Sequence, residues 1–284
     1  MSSKPTEPLV VNLAPTGMVP TREMTPHVPL SVDEVLDDVG RCRELGASIV
    51  HVHARDDEGA PTHVAERFAP IVEGIRKLDP ELVVCVTCSG RFVSELERRA
   101  AVLELEGDAK PDLASLTLGS NNFRSVASVN SPEVIAGLAE RMSERGIQPE
   151  LEVFEPGMVQ TGRMLAERGL IGPSPFINII LGNPGTASAE PAMLAAFLSQ
   201  VPDGWNWSLG GIGRHQLAAN TMAIACGGHV RVGLEDNIWW DRERTEHASN
   251  PRLVARVAEV AELCERPLAT PAQTRELLGL NRSA

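Results

Sequence analysis

Two histidines separated by a single valine are the residues of this sequence best suited to metal chemistry. His51 and His53 lie in residues 48–56, which are predicted to form a strand because Ile49, Val50 and Val52 are β-branched. Side chains alternate along a strand, so both imidazoles point to the same face with their Cα atoms about 6–7 Å apart. Such a pair can bind one Zn²⁺ ion, but two buried structural histidines would give the same pattern.

A carboxylate near the end of the chain is the best candidate for a third ligand. Residues 229–236 are predicted to form the last strand, and alternation places Arg231 and Glu235 on one face of it. Two histidines and one carboxylate make a common zinc site that leaves positions for substrate oxygens. The sequence therefore predicts His51, His53 and Glu235 as metal ligands.

The charged residues around Glu235 also allow a purely structural interpretation. Arg231 and Glu235 could form an ion pair that only stabilises the fold, and Asp236 with Asn237 could cap the turn that follows. Three chargeable groups at the end of one strand are nevertheless more than stability requires. We therefore favour a functional site.

Another unusual position is Glu152, which lies between Leu151 and Val153 inside a predicted strand. A buried carboxylate is costly unless it is paired or bound to a cation, so this position favours a functional role. The alternative is that Glu152 faces a layer of helices. The other polar residues that we expect near the ends of strands are Thr87, Ser89, Ser115, Thr117, Glu150 and Glu155.

The elements that must position these groups alternate along the whole chain. About eight strand–helix units fit the hydrophobic pattern, as in a (β/α)₈ TIM barrel, and Pro271–Leu278 adds a short extra helix near the C-terminus. No linker or repeat divides the sequence, so we predict a single-domain α/β barrel over residues 1–284. An open doubly wound sheet is the alternative, but its glycine-rich phosphate turn is absent after the first strand. In a barrel, the active site lies at the C-terminal ends of the strands.

Composition restricts the classes of function. The chain has 284 residues and a net charge of −12, which argues against a nucleic-acid surface and against binding to an anionic membrane. The sequence shows no signal-peptide pattern and no apolar run long enough to span a membrane.

The number of cysteines, five, is odd, so we expect reduced thiols in a cytoplasmic protein. Cys85 and Cys88 form a CxxC motif within an apolar run, which favours buried structural thiols over redox or metal chemistry.

Lysine is rare in this sequence and occurs only at Lys4, Lys77 and Lys110, none of them at the C-terminal end of a predicted strand. A lysine that forms a Schiff base with the substrate is therefore not expected. The same absence argues against one alternative, a metal-dependent hydrolase of the amidohydrolase kind, in which a carboxylated lysine bridges the metals. A barrel that binds metal without catalysis is the other alternative.

Five stretches of the chain have the character of family motifs. They are Asn12-Leu-Ala-Pro-Thr-Gly17, His51-Val-His-Ala-Arg-Asp56, Ala114-Ser-Leu-Thr-Leu-Gly119, Gly211-Ile-Gly-Arg-His215 and His229-Val-Arg-Val-Gly-Leu-Glu-Asp-Asn237. Together they resemble the family of β-keto acid cleavage enzymes, and the resemblance covers essentially the whole chain. It implies a zinc-dependent barrel that converts a β-keto acid and acetyl-CoA to acetoacetate and a shortened acyl-CoA. It also implies a homo-oligomer, with a homotetramer as the expected form.

The resemblance further implies a role for each matching residue. The expected zinc ligands are His51, His53 and Glu235. The expected catalytic residues are Asp236, Arg231, Glu152 and Thr87. The expected substrate-binding residues are Ser115, Thr117, Ser89 and Gly90.

Three positions differ from the members that cleave 3-keto-5-aminohexanoate. Ser115 stands where those members have a threonine, which also offers a hydroxyl. Thr87 stands where those members have a catalytic serine, and its added methyl group restricts the rotamers of the hydroxyl. Val19 aligns with an acidic residue in their first loop. An apolar side chain leaves no partner for an ammonium group, so we expect a keto acid whose side chain is neutral or differently charged.

Overall fold

The structure, a computed structural model that describes residues 7–173 and 175–280, is a closed barrel of eight parallel strands. Each strand pairs with its neighbours in the sequence, and the last strand pairs with the first. The barrel strands are β1 (Val11–Leu13), β2 (Ile49–Val52), β3 (Val83–Val86), β4 (Leu113–Thr117), β5 (Gln148–Val153), β6 (Phe176–Leu181), β7 (Asn206–Gly211) and β8 (His229–Val232). The predicted (β/α)₈ TIM barrel is therefore confirmed.

Helices cover the outside of the barrel. They are α1 (Val32–Glu44), α2 (Ala65–Leu78), α3 (Leu96–Ala100), α4 (Pro132–Arg145), α5 (Pro156–Glu167), α6 (Pro191–Leu198), α7 (Gln216–Ala225), α8 (Asn250–Leu263) and α9 (Pro271–Leu278). Local sequence signals set their ends, since Ser31 and Glu34 form a capping box before α1 and Gly146 ends α4 with φ of 61°. None of the described helices is both long enough and apolar enough to cross a lipid bilayer.

The strands predicted over residues 48–56 and 229–236 are both shorter in the structure, where β2 covers only Ile49–Val52. β8 ends at Val232 rather than residue 236, because Gly233 adopts φ of 152° and turns the chain out of the sheet. Helix α3 is short and continues as a 3₁₀-helix over Ala101–Glu104. The 3₁₀ turn Gly213–His215 directly precedes α7.

The N-terminal end of the barrel is closed by apolar side chains and by α9. The buried members of this cluster are Val10, Ile49, Val83, Cys85, Leu113, Phe176, Ala269 and Leu278. α9 is attached there by two polar contacts: Thr274 Oγ1 donates to Ser48 Oγ at 2.8 Å, and Arg275 Nη2 donates to Asp112 Oδ1 at 2.7 Å. The polar residues of the site lie at the opposite end of the barrel, where the strands have their C-terminal ends.

The cysteines and lysines agree with the expectations from sequence. All five cysteines are free thiols, and both members of the CxxC motif are buried. Burial raises the pKa of Cys88 to about 12 and holds that of Cys85 well above its usual value. Lys77 lies on α2 and Lys110 lies before β4, so neither is at the C-terminal end of a barrel strand. Lys4 lies outside the described residues.

Candidate active site

His51 and His53 bring their imidazoles together at the C-terminal end of β2. Both side chains are buried, and their Nε2 atoms lie 3.2 Å apart. Glu235 joins them from the loop after β8, with its Oε1 3.3 Å from His53 Nε2. Ligand atoms of all three residues lie within 4.8 Å of one another. The three predicted ligands therefore converge, although their binding of a metal stays a prediction.

A carboxylate behind His51 sets the orientation of its ring. Glu150, on β5, has its Oε2 2.7 Å from His51 Nδ1, and Asn12 Nδ2 donates to the other Glu150 oxygen at 2.5 Å. A proton on Nδ1 that is directed at Glu150 leaves the lone pair of Nε2 facing His53 and Glu235. The sequence placed Glu150 near a strand end without giving it a role. The structure shows it as the support of a predicted ligand.

The charges of the site favour ligand atoms with free lone pairs. Burial lowers the pKa of His53 to about 4, so this imidazole is neutral at pH 7. Burial alone would raise the pKa of Glu235, but His53 and Arg231 hold it well below its usual range. Burial alone would lower the pKa of His51, yet Glu150 reverses this and the net shift is upward. A metal cation that binds at His51 Nε2 must displace any proton from that nitrogen, so metal binding at His51 is coupled to proton release.

Arg231, on β8, connects the predicted ligands to two further carboxylates. Its Nη2 lies 2.8 Å from Glu235 Oε1, and its Nε donates to Asp236 Oδ2 at 2.9 Å. Its Nη1 lies 3.6 Å from Glu152 Oε1. Burial would lower the pKa of the Arg231 guanidinium, but Asp236 and Glu235 hold it well above its usual value. A permanent cation therefore fixes the positions of three carboxylates at one end of the barrel.

Asp236 and Glu152 differ from Glu235 in their affinity for protons. Burial raises the pKa of both carboxyls, and Arg231 opposes this shift without reversing it. Thr117 Oγ1 also donates to Glu152 Oε2 at 2.8 Å. A carboxylate with a raised pKa is a stronger base, so Asp236 is suited to accept a proton from a substrate.

The loop that carries Glu235 is held by contacts outside the barrel. Asn250, the first residue of α8, accepts a hydrogen bond from Leu234 N at 2.9 Å and donates one to Pro15 O at 3.0 Å. Gly17, with φ of 66°, lies so close to Glu235 that any Cβ would overlap the glutamate side chain. The backbones of the loops after β1 and β8 therefore position this carboxylate together.

The remaining predicted residues lie at the ends of β3 and β4. Thr87 is buried, and its Oγ1 accepts a hydrogen bond from Ser89 N at 3.2 Å. Ser115 Oγ accepts one from Cys88 N at 3.1 Å. Gly90 packs against the segment before α4, where a Cβ would overlap a backbone carbonyl. These contacts shape the loop after β3, and the predicted roles of the four residues in catalysis and substrate binding stay predictions.

A second group of ligand atoms lies deeper in the barrel. Atoms of His51, Cys85 and Glu150 also lie within 4.8 Å of one another. Glu150, however, already accepts hydrogen bonds from His51 and Asn12. Burial also holds the pKa of Cys85 well above its usual value, and a protonated thiol is a poor ligand. The group of His51, His53 and Glu235 is therefore the better cation site.

The better cation site also contains an oxygen that needs a partner. Glu235 Oε2 is inaccessible to solvent and accepts no hydrogen bond within the described part of the chain. A buried oxygen of this kind costs free energy unless a ligand satisfies it. Two imidazole nitrogens and an ionised carboxylate form a donor set that zinc uses at catalytic sites. The residues present thus fit a zinc ion.

The supporting roles of three residues were not predicted from the sequence. Asn12 and Glu150 orient His51, and Arg55 holds the loop after β1 because its Nη2 donates to Gly17 O at 2.7 Å and to Pro20 O at 3.0 Å. The signal in the sequence that could have identified these residues was their residue type together with their position. Each is a polar residue within an apolar strand or directly after one.

Comparison with known proteins identifies the family. The family described as beta-keto acid cleavage enzyme matches residues 8–280. The 3-keto-5-aminohexanoate cleavage enzyme of Acetoanaerobium sticklandii is 34% identical over 97% of this chain and 100% of its own length. The 3-oxoadipate:acetyl-CoA acetyltransferase of Cupriavidus necator is 36% identical over 97% of this chain and 96% of its own length.

A solved structure shares the barrel. The apo structure of ObcA superimposes with a TM-score of 0.79 and 19% identity. The match covers 90% of this chain and 66% of the ObcA chain. This likeness supports the fold alone. The match to the family over nearly the whole chain, together with relatives above 30% identity, confirms the resemblance seen in the sequence motifs. The chain belongs to the family of beta-keto acid cleavage enzymes.

Proposed function

We propose that this protein is a zinc-dependent β-keto acid:acetyl-CoA acetyltransferase. It joins a β-keto acid to acetyl-CoA and releases acetoacetate and a shortened acyl-CoA. The observation that carries the proposal is the pair of contacts made by Arg231, which holds Glu235 and Asp236 with one guanidinium. Arg231 thereby holds the predicted metal ligand Glu235 and the predicted base Asp236 side by side. Family membership and the names of the relatives support the same reaction class.

In this proposal the zinc ligands are His51, His53 and Glu235. When bound there, zinc would supply Lewis-acid polarisation of the substrate ketone, which would favour loss of a proton from the neighbouring carbon. Glu150 keeps the ring of His51 in the orientation that binding requires, and Arg231 restricts the position of Glu235.

Asp236 accepts the proton from the carbon between the ketone and the carboxylate. That carbon attacks the thioester carbonyl of acetyl-CoA, a carbon–carbon bond forms, and CoA leaves as a thiolate. The thiolate then attacks the original ketone carbon, the older carbon–carbon bond breaks, and the acyl-CoA is complete. Acetoacetate recovers its proton from Asp236. Thr87 and Glu152 orient groups or relay protons, and the proposed substrate-binding residues are Ser115, Thr117, Ser89 and Gly90.

Formation of acetoacetate from a panel of β-keto acids tests the reaction. With acetyl-CoA present, we expect the zinc-loaded protein to release acetoacetate and a new acyl-CoA in equal amounts. A chelator should abolish this activity, and added zinc should restore it. Absence of both products with every acid would contradict the proposal.

The role of Asp236 can be separated from metal binding. Asp236→Asn keeps the shape of the side chain but removes the base, so we expect turnover to fall by about 10²–10⁴-fold while zinc content is unchanged. Asp57→Asn, which alters an exposed aspartate paired with Arg67, is the control and should retain both properties. Zinc content and acetoacetate rate are measured on the same samples. Full activity of the Asp236 variant would remove this residue from the mechanism.

The two alternatives give different results in the same assays. A metal-dependent hydrolase would release product without acetyl-CoA, and a barrel that only binds metal would contain zinc but form no product. Neither lysine in the described part of the chain can bridge metals at the site, because Lys77 lies on an outer helix and Lys110 lies at the opposite end of the barrel. Thioester dependence therefore decides among the three.

The assembly and the cellular location stay predictions. We expect a homotetramer, which light scattering of the purified protein would test. We also expect the protein to work in the cytoplasm, since its cysteines are free thiols. Fractionation of cells would test the location.

A further inference from the structure

One acidic residue lies on the buried face of α1. The buried residues of this helix share one face and are Val35, Asp38, Val39 and Cys42. Asp38 is only 9% exposed, and a carboxylate in such a place costs free energy unless it is paired. Among the described residues, no cationic side chain lies within ion-pair distance of it. Asp79, by contrast, is buried just after α2 and has Arg43 at 2.7 Å. Asp38 therefore needs another explanation than an ion pair.

The partner of Asp38 is the side-chain amide of Asn250. Asn250 Nδ2 donates to Asp38 Oδ2 at 2.7 Å and to Pro15 O at 3.0 Å, and its Oδ1 accepts from Leu234 N at 2.9 Å. A carboxylate and a backbone carbonyl only accept hydrogen bonds, so together they attract the Nδ2 end of the amide and leave Oδ1 for Leu234 N. Asp38 therefore helps to set which way this amide points.

The amide of Asn250 joins the two loops that position Glu235. In addition to the contact of Gly17 with the Glu235 side chain, Glu235 N donates to Ala14 O at 3.2 Å. Leu234, which Asn250 holds, directly precedes Glu235 in the loop after β8. The orientation of the amide thus affects how firmly the loops after β1 and β8 are held together, and with them the predicted zinc ligand.

Asp38 lies on the outer layer of the molecule and not at the mouth of the barrel. It lines a cavity of about 700 Å³ whose walls come from α1, α8 and the segments that precede these two helices. Within the described part of the chain, Asn250 is the hydrogen-bond partner of its side chain. A change at Asp38 therefore reaches the loops around Glu235 through the Asn250 amide, without direct contact with a predicted ligand.

We propose that Asp38 is a positioning residue for the predicted zinc ligand Glu235 and that it acts through Asn250. This inference rests on the proposed function, in which Glu235 binds zinc. For stability alone, an apolar residue on the buried face of α1 would serve as well as a carboxylate. The carboxylate instead gives the Asn250 amide an acceptor. Without it, an Nδ2 proton has no partner and the amide is free to rotate, so Glu235 is less fixed.

A double-mutant cycle with zinc affinity as the measurement tests this route. Asp38→Ala should lower the affinity for zinc by about tenfold, and Asp38→Asn, which can still accept from Asn250, should retain most of the affinity. When Asp38→Ala is added to Asn250→Ala, we expect no further loss, because the amide through which Asp38 acts is already absent. An equal loss in the presence and absence of the amide would show that Asp38 affects the site by another route, and would overturn the inference.

The matched control is Asp37→Ala, which removes the same charge one residue earlier on α1. Asp37 is exposed and lies 3.7 Å from Arg41, so this variant should bind zinc normally. A loss of zinc affinity as large as that of the Asp38 variant would assign the effect to the charge of the helix and would overturn the inference.

Hydrogen exchange of the Leu234 amide measures the same support without zinc. Asp38→Ala should accelerate this exchange by about tenfold, because the amide of Asn250 no longer holds Leu234 N firmly. Thr274→Val, which lowers stability at the opposite end of the barrel, should not produce this local acceleration. Equal exchange at Leu234 in these two variants would overturn the inference. If the native protein bound no zinc, the proposed function would fail instead, and the exchange of Leu234 would still decide the role of Asp38.

Discussion

The two ring nitrogens of His51 have different neighbours, and this difference decides what the site can bind. Nδ1 faces Glu150 at 2.7 Å, whereas Nε2 faces His53 Nε2 at 3.2 Å. A carboxylate on the far side of a ligating imidazole fixes the tautomer and increases the basicity of the nitrogen that binds metal. Glu150 is fully buried and is itself held by Asn12, so its position is rigid.

We therefore expect Glu150→Gln to weaken zinc binding. Glutamine keeps the length of the side chain and can still accept a hydrogen bond from His51 Nδ1, but it lacks the negative charge. The affinity for zinc should fall by about 10–100-fold, which competition with a fluorescent chelator would measure. Glu97→Gln, at an exposed position on α3, is the control and should bind zinc normally. An unchanged affinity in the Glu150 variant would show that the charge of this residue does not act through His51.

Single residues were predictable where their type and spacing restricted the chemistry. His51, in β2, and His53, directly after it, bring their rings together, and the spacing behind this contact is visible in the sequence. The support from Glu150 was not predictable, because it joins residues 99 positions apart. Only the closure of the barrel determines that β2 and β5 direct these side chains to the same point.

At the scale of elements, the loop after β8 differs most from its prediction. Alternation along an extended strand to residue 236 would place Arg231 and Glu235 on one face. The structure brings them within 2.8 Å in another way, because Gly233 turns the chain and the loop folds back. Asn250 then holds the loop through Leu234 N. The ion pair between Arg231 and Glu235 was predictable from the residue types. The path of the backbone between these two residues was not, because it depends on Asn250 in α8, later in the chain.

The hydrogen bonds of Asn250 lead to a prediction about this loop. Asn250→Ala removes the contacts to Leu234 N and Pro15 O, which connect the loops after β8 and β1. We expect the free energy of unfolding to fall by about 1–3 kcal/mol, and the affinity for zinc to fall as well because Glu235 is less fixed. Urea denaturation and zinc titration measure the two effects.

A variant at the other end of the barrel controls for lost stability. Thr274→Val removes the buried hydrogen bond from α9 to Ser48. It should lower the free energy of unfolding by a similar amount and leave zinc affinity unchanged. If the Asn250 and Thr274 variants bound zinc equally well, the loop after β8 would not depend on Asn250 for the position of Glu235.

At the scale of the whole molecule, the barrel has two distinct ends. The stabilising end is the N-terminal end of the strands, where α9 packs, and the functional end is the C-terminal end, where the candidate site lies. The alternation of strands and helices was sufficient to predict eight units, because each unit follows from local hydrophobic patterns. The sequence also predicted the extra helix α9, but not its position under the barrel. That position depends on Leu278, which packs among the apolar residues of the N-terminal end, and on the polar contacts of Thr274 and Arg275.

Asp112 is the centre of the polar contacts at the stabilising end. Its two carboxylate oxygens each lie 2.7 Å from an arginine, Arg275 on α9 and Arg76 on α2, and one also accepts from Val84 N at 2.9 Å. Burial alone would raise the pKa of Asp112, but these partners lower it below the usual value of 3.8. The ionised carboxylate therefore stabilises the fold fully above the unfolded-state pKa. This contribution is lost as the pH falls through the lower, folded-state pKa.

Asp112→Asn should accordingly destabilise the protein in a pH-dependent way. At pH 7 we expect the free energy of unfolding to fall by about 3–5 kcal/mol, because the buried Arg275 and the partly buried Arg76 lose this carboxylate. The difference between the variant and the original protein should begin to shrink as the pH falls below the usual aspartate pKa of 3.8, and it should be smallest below the lower folded-state pKa, where Asp112 is neutral as well. Urea titrations at a series of pH values measure this difference. Asp57→Asn, which removes a solvent-exposed ion pair with Arg67, should have little effect at any pH. A difference for the Asp112 variant that stayed constant with pH would show that the shape of the side chain, rather than its charge, holds α9 under the barrel.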